Sequence, residues 1–124
     1  EVIAKYNVVS APVAARMALG AAAASGSDIA VSVTGVAGPT GGDEVRPVGT
    51  VYLGAARGDT VYVQKLFVSR PDRALVRARA AQAALALALR LAQGKVPAHT
   101  KPLAASEQHS AAALDALNEA FLAE

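Results

Sequence analysis

Residues 28–42 read Asp28-Ile-Ala-Val-Ser-Val-Thr-Gly-Val-Ala-Gly-Pro-Thr-Gly-Gly42, and this stretch decides the fold. Its first half alternates: Ile29, Val31 and Val33 fall on one face, Ala30, Ser32 and Thr34 on the other. Both faces are small or apolar, the pattern of a largely buried strand rather than a half-solvated one. Its second half places four glycines, Gly35, Gly38, Gly41 and Gly42, within eight residues. Such a density excludes regular structure and predicts a loop with special backbone angles at the end of the strand.

The flanks supply helices and a hairpin. Upstream, Glu1 to Val9 is too short to classify. Ser10-Ala-Pro12 is a helix start, with Ser10 able to cap orphan N–H groups and Pro12 tolerated in the first turn. Val13, Met17 and Ala21 share a stripe beside Ala14, Ala18 and Leu19, and Gly26 suits a left-handed stop. Downstream, Thr50–Ala56 and Thr60–Val68 are β-branched and aromatic runs joined by Arg57-Gly58-Asp59, a hairpin with a tight turn. An integrin-type reading of Arg-Gly-Asp yields to that turn. Ser69-Arg70-Pro71-Asp72 has the spacing of a capping box and opens a long helix to about Leu91. Gly94 to Ala105, with Pro97 and Pro102, reads as a linker, and Ser106 caps a last amphipathic helix to about Leu122.

The order helix, strand, glycine loop, hairpin, helix, helix predicts a layered α/β arrangement with a mixed sheet. The expected division is an α/β domain over 1–93, a linker over 94–105 and an accessory helix over 106–124. Three visible strands make a thin sheet. With Ile29, Val31 and Val33 on its edge, a homodimer or larger assembly is expected.

Composition narrows the function. Hydrophobic residues are 53% and charged residues 18%, against disorder. Twelve Lys and Arg against ten Asp and Glu leave a net charge of +2 with no basic tract, so nucleic acid is not an expected partner. The absence of cysteine removes disulfides, thiol catalysis and Cys-ligated metals. His99 and His109 form no cluster with metal-ligand spacing, and neither a metal nor a cofactor is expected. The apolar run Ala80–Ala92 falls short of the roughly 20 residues of a membrane span. No signal peptide opens the chain, and cytoplasm is the expected compartment. Lys65, Lys95, Lys101 and both histidines read as solvated, and Tyr6, Tyr52 and Tyr62 as packing residues.

The chemical content lies in the glycine loop. Open α/β sheets bind ligands where strands end, and glycines there let backbone N–H groups approach an anion. The loop matches neither Walker A nor Gly-x-Gly-x-x-Gly. Its residues leave two readings open: a nest for phosphate or carboxylate, and a purely structural turn.

The string Ser32-Val-Thr34-Gly-Val-Ala-Gly38-Pro-Thr-Gly41-Gly42, followed by Arg46-Pro47-Val48-Gly49-Thr50-Val51-Tyr52, resembles the signature of the CinA C-terminal domain family. Val8-Val9-Ser10 and Asp72-Arg73-x-x-Val76-Arg77 resemble two of its helix starts. The resemblance covers about Glu1 to Leu91. It implies hydrolysis of the carboxamide of nicotinamide mononucleotide to nicotinate mononucleotide and ammonia, a step in pyridine-nucleotide recycling. It also implies a serine nucleophile activated by lysine, with Thr34 and Arg73 lining the site and Gly35, Ala37, Gly38, Gly41 and Gly42 against the substrate. The planar fork of Arg73 suits a phosphate.

The family's serine motif, its lysine and two further strands precede the region aligned with Glu1, so the resemblance implies a layered α/β/α domain with a mixed sheet that is partial here, truncated at its N-terminal strands; neither the serine motif nor the lysine occurs in this sequence. Where family members carry Ser-Gly-Asp, this chain has Ser69-Arg70-Pro71-Asp72. No catalytic residue is therefore assigned, and the chain alone is expected to be inactive. Two alternatives stand beside the amidohydrolase reading: a non-catalytic module that completes its sheet with another chain, and a phosphate-ligand binder without chemistry.

Overall fold

The structure is a computed structural model describing residues 2–38, 40–70 and 72–123. Pro39 of the loop motif and Pro71 before the long helix lie outside the described residues, as does Glu1. The elements in order are α1 (Val2–Tyr6), α2 (Ala11–Ser25), β1 (Ile29–Gly35), β2 (Thr50–Arg57), β3 (Thr60–Phe67), α3 (Arg73–Ala92), β4 (Lys101–Ala104) and α4 (Ala111–Leu122). A single 3-10 turn, Ala105–Glu107, precedes α4.

The sheet runs β1-β2-β3-β4, with helices on both faces. The layered α/β arrangement is the expected one. Every pairing among the described strands is antiparallel, however, so the sheet is not mixed. The reason lies in the connections. The β2–β3 hairpin and the out-and-back excursion of the glycine loop each return the chain beside the strand it left, and α3, packed on one face, brings β4 back antiparallel to β3.

Strand alternation divides the core in two. Tyr52, Ala56, Val61, Val63 and Leu103 face α2 and α4, while Val51, Leu53 and Ala55 face α3. β2 is buried along both faces until Arg57, as a central strand between helix layers must be. α2 is capped by Ser10, whose Oγ accepts from Val13 N–H at 3.4 Å, and it stops at Gly26 with φ 69°. Its buried face is Ala11, Ala14, Ala15, Ala18 and Leu19; Met17, expected in the stripe, is 43% exposed. The alanines win that face because the helix backbone lies almost on the sheet.

Asp72 itself caps α3, accepting from Leu75 N–H at 2.9 Å, so the capping-box reading shifts to a simple N-cap. The C-terminal stretch differs most from expectation. Residues read as a linker contribute β4, which pairs with β3 over Thr60–Val63, and the last helix starts at Ala111 under Ser110 rather than after Ser106. Leu103, Leu114, Leu117 and Phe121 belong to the same core cluster as α2. Phe121 meets the Tyr52 ring edge-on, with centroids 5.8 Å apart. α4 also ties to α1: the Tyr6 hydroxyl donates to Asp115, and Lys5 Nζ lies 3.1 Å from the same carboxylate. The Tyr6 and Lys5 contacts hold the Asp115 carboxyl below its ordinary range, while burial and then that carboxylate push the Tyr6 hydroxyl up.

Candidate functional site

The site candidates gather at the C-terminal end of β1. Thr34 is buried, and its Oγ1 donates to Val8 C=O at 2.9 Å. Its proton is therefore spent on the α1–α2 junction, and toward a ligand the oxygen can only accept. Gly35 follows without room for a side chain: a Cβ would stand 2.9 Å from Thr50 O. Val36 then donates to Thr50 C=O at 2.9 Å and accepts from Gly49 N–H at 2.7 Å, so the loop leaves and re-enters the sheet at one point.

The remaining glycines are required by that narrow excursion. Gly38 has φ 85°, and a Cβ there would meet Val48 Cγ1 at 2.6 Å. Gly42, with φ 85°, lies against the backbone of Arg46 to Val48. The Asp43 carboxylate accepts from Val45 and Arg46 N–H at 3.0 and 2.7 Å and turns the chain back. Among the described residues, the N–H groups of Ala37, Gly38, Gly41 and Gly42 have no acceptor. The structural and anion-facing readings of the loop are thus compatible. Steric need selects the glycines, and the same conformation leaves donors unspent.

Arg73 comes to this loop from the first position of α3, with Nη1 3.5 Å from Gly38 C=O, a long contact that leaves most of its donors free. Thr34, the loop and Arg73, far apart in sequence, lie at one end of the sheet. Arg77, the second arginine of that helix-start motif, lies one turn on and is exposed. Lys65 is half-buried rather than solvated, with Nζ 5.9 Å from the Tyr52 ring centroid.

Arg46, which belongs to the motif, braces the chain from within the loop. Its Nη2 donates to Tyr6 C=O at 2.7 Å and its Nε to Val9 C=O. Together with the Thr34 bond, these contacts hold the turn before α2, where Asn7 adopts φ 80° and its Oδ1 accepts from Val9 N–H. The available signal was a lone arginine in a loop of small residues.

The cavities described lie elsewhere. The largest, about 780 Å³, opens at the opposite end of the sheet between the end of α2, Asp28, Arg57 and Gln108. None of them is lined by residues 34–42 or by Arg73. Among the described residues, no cluster of His, Asp and Glu could hold a metal ion, and no helix is long and apolar enough to cross a membrane.

Comparison with known proteins meets the same motifs. The family model described as the CinA C-terminal domain matches residues 1–92. The nicotinamide-nucleotide amidohydrolase PncC of Escherichia coli K12 is 44% identical over 87 residues, covering 68% of this chain and 52% of that protein. A CinA-like protein of a Geobacter species is 52% identical over 75 residues, covering 60% of this chain and 18% of that one. Among solved structures, a competence/damage-inducible protein of Agrobacterium tumefaciens aligns with a TM-score of 0.71 at 34% identity, over 75% of this chain and 57% of that one. A CinA-superfamily protein of Escherichia coli aligns with a TM-score of 0.66 at 35% identity, over 72% and 51%. The chain thus spans about half the length of the amidohydrolase and of these solved relatives, and less of the longer CinA-like protein.

Proposed function

This chain belongs to the CinA C-terminal domain family, and from that membership we propose that it carries part of a nicotinamide-nucleotide amidohydrolase site. The reaction is cleavage of the carboxamide of nicotinamide mononucleotide to nicotinate mononucleotide and ammonia, a cytoplasmic step that recycles pyridine nucleotides. Thr34, Gly35, Ala37, Gly38, Gly41, Gly42 and Arg73 are the substrate-binding residues. Residues 1–93 carry them, and β4 and α4 complete the sheet and core of the same unit.

The observation that supports this reading most is the approach of Arg73 to Gly38. It gathers a guanidinium and a loop with unspent N–H donors beside a strand end, an arrangement suited to a phosphate. We further propose that the loop is one wall of the pocket, its other wall coming from the portion of the relatives that this chain does not match. That accounts for a loop lining none of the cavities described.

The serine and lysine implied by the resemblance have no counterpart in these 124 residues. The purified chain is therefore expected to release no ammonia from nicotinamide mononucleotide above a buffer blank. Robust turnover would show that the reactive groups lie within this chain and overturn the split-site reading. A second reading, a non-catalytic module that completes its sheet with another chain and assembles as a homo-oligomer, draws its support from β1, which pairs on one side alone among the described strands.

A further inference from the structure

The glycine loop is fastened to the body of the protein at its base and at one residue beyond it. The base is the pair of bonds that Val36 makes with Gly49 and Thr50. Among the described residues of 40–46, every hydrogen bond that leaves the segment starts from the Arg46 side chain. The main chain of Arg46 is bound both ways to Asp43. Its N–H donates to the Asp43 carboxylate at 2.7 Å, and the Asp43 N–H donates to its C=O at 3.0 Å. Gly42 lies against that same carbonyl, where a Cβ would stand 3.0 Å from the oxygen. Arg46 thus carries the far half of the loop on its own backbone. Its guanidinium meanwhile reaches the turn before α2. Four successive carbonyls there each accept from a side chain: Tyr6 and Val9 from Arg46, Asn7 from Ser10 and Val8 from Thr34. The Val8 carbonyl, which takes the Thr34 proton, is flanked in sequence by the two that Arg46 holds. Nε and Nη2 span carbonyls three residues apart, a task for a rigid planar fork that lysine does not have.

We propose that Arg46 is the positioning residue of this site. It fixes the Gly41 and Gly42 N–H groups and the Thr34 hydroxyl in one arrangement, and acts on a ligand through them. The inference rests on the reading of the loop as a phosphate site. Glycine permits the close backbone approach that a phosphate needs, but it also leaves the chain more freedom to lose than any other residue. A ligand that had to order the loop itself would bind more weakly by that entropy. The two ends of Arg46 remove the difficulty. Its backbone sets the Asp43 turn, its side chain ties that turn to the carbonyls before α2, and the ordering is complete in the folded chain before any ligand arrives. Thr34 gains in the same way, because a fixed Val8 carbonyl fixes the direction of its hydroxyl.

The test compares wild type with Arg46→Gln and Arg46→Lys in the full chain, by amide exchange and by calorimetric titration of nicotinate mononucleotide. In Arg46→Gln the amides of Asp43 and Val45 are expected to exchange about tenfold faster or more, and affinity to fall by about tenfold or more. The amides of Leu53 and Val63, in the core, keep their protection. Arg46→Lys, which keeps the charge and loses the fork, is expected between the two. Wild-type affinity in Arg46→Gln overturns the proposal alone, as do loop amides that stay protected. A fall in affinity matched by lost protection in the core makes Arg46 a stability residue and also overturns it. A wild type that binds no nucleotide overturns the phosphate reading first, and the proposal with it. Should Arg46→Gln not fold, the Arg46 Nε proton of wild type decides: slow exchange with solvent supports the proposal, and free exchange overturns it.

Discussion

Gly54 is the residue on which the closest contact between helix and sheet depends. A Cβ there would lie 2.4 Å from Ala14 O and 2.8 Å from Ser32 Oγ. The Ser32 hydroxyl donates to that same carbonyl at 2.6 Å, so strand, helix and hydroxyl converge on one atom. Gly54→Ala must push a backbone carbonyl rather than a flexible side chain. It is expected to lose about 3 kcal/mol, the upper end for overpacking, as a lower denaturant midpoint. An unchanged midpoint would mean that α2 stands farther from β2. Nothing in the sequence around Gly54 announces this. A glycine inside a strand pattern signals close approach in general, but not what approaches. The loop glycines were easier to read, because four in eight residues exclude regular structure whatever surrounds them.

Among the elements, those with a strong local period were legible and those formed by tertiary partners were not. The alternation of Asp28–Thr34, the hairpin around Gly58 and the cap at Ser10 lie where local chemistry places them, whereas the cap of α3 falls on Asp72, three residues beyond the Ser69 of the expected capping box. β4 has four residues, one of them proline, and no alternating pattern; it exists because β3 offers it an edge. α4 looked like an appendage because its sequence shows an amphipathic face without showing what that face covers. The structure sets Leu114, Leu117 and Phe121 into the core beneath α2. Phe121→Ala is therefore expected to cost about 3–5 kcal/mol in chemical denaturation, the range for a fully buried aromatic. A loss under about 0.5 kcal/mol, typical of surface positions, would show that α4 is dispensable to the fold.

At the scale of the whole molecule, the sheet has two ends with different character. One holds the largest cavity, which no motif marks; the other holds the glycine loop, Thr34 and Arg73, with Arg46 bracing the turn before α2. The motif marks the residues of the second end in the sequence itself, because family spacing ties Thr34 to Arg73 across 39 positions. The bracing was not legible, since Arg46 acts through backbone carbonyls that carry no sequence signal. The central claim is that Arg73 and the loop grip the phosphate of a pyridine mononucleotide. The most direct measurement is calorimetric titration of nicotinate mononucleotide into wild type and Arg73→Ala. The account predicts binding by wild type and a loss of about 1.5–3 kcal/mol in the variant, roughly tenfold to a hundredfold in affinity; equal affinities, or no heat with wild type, would contradict it.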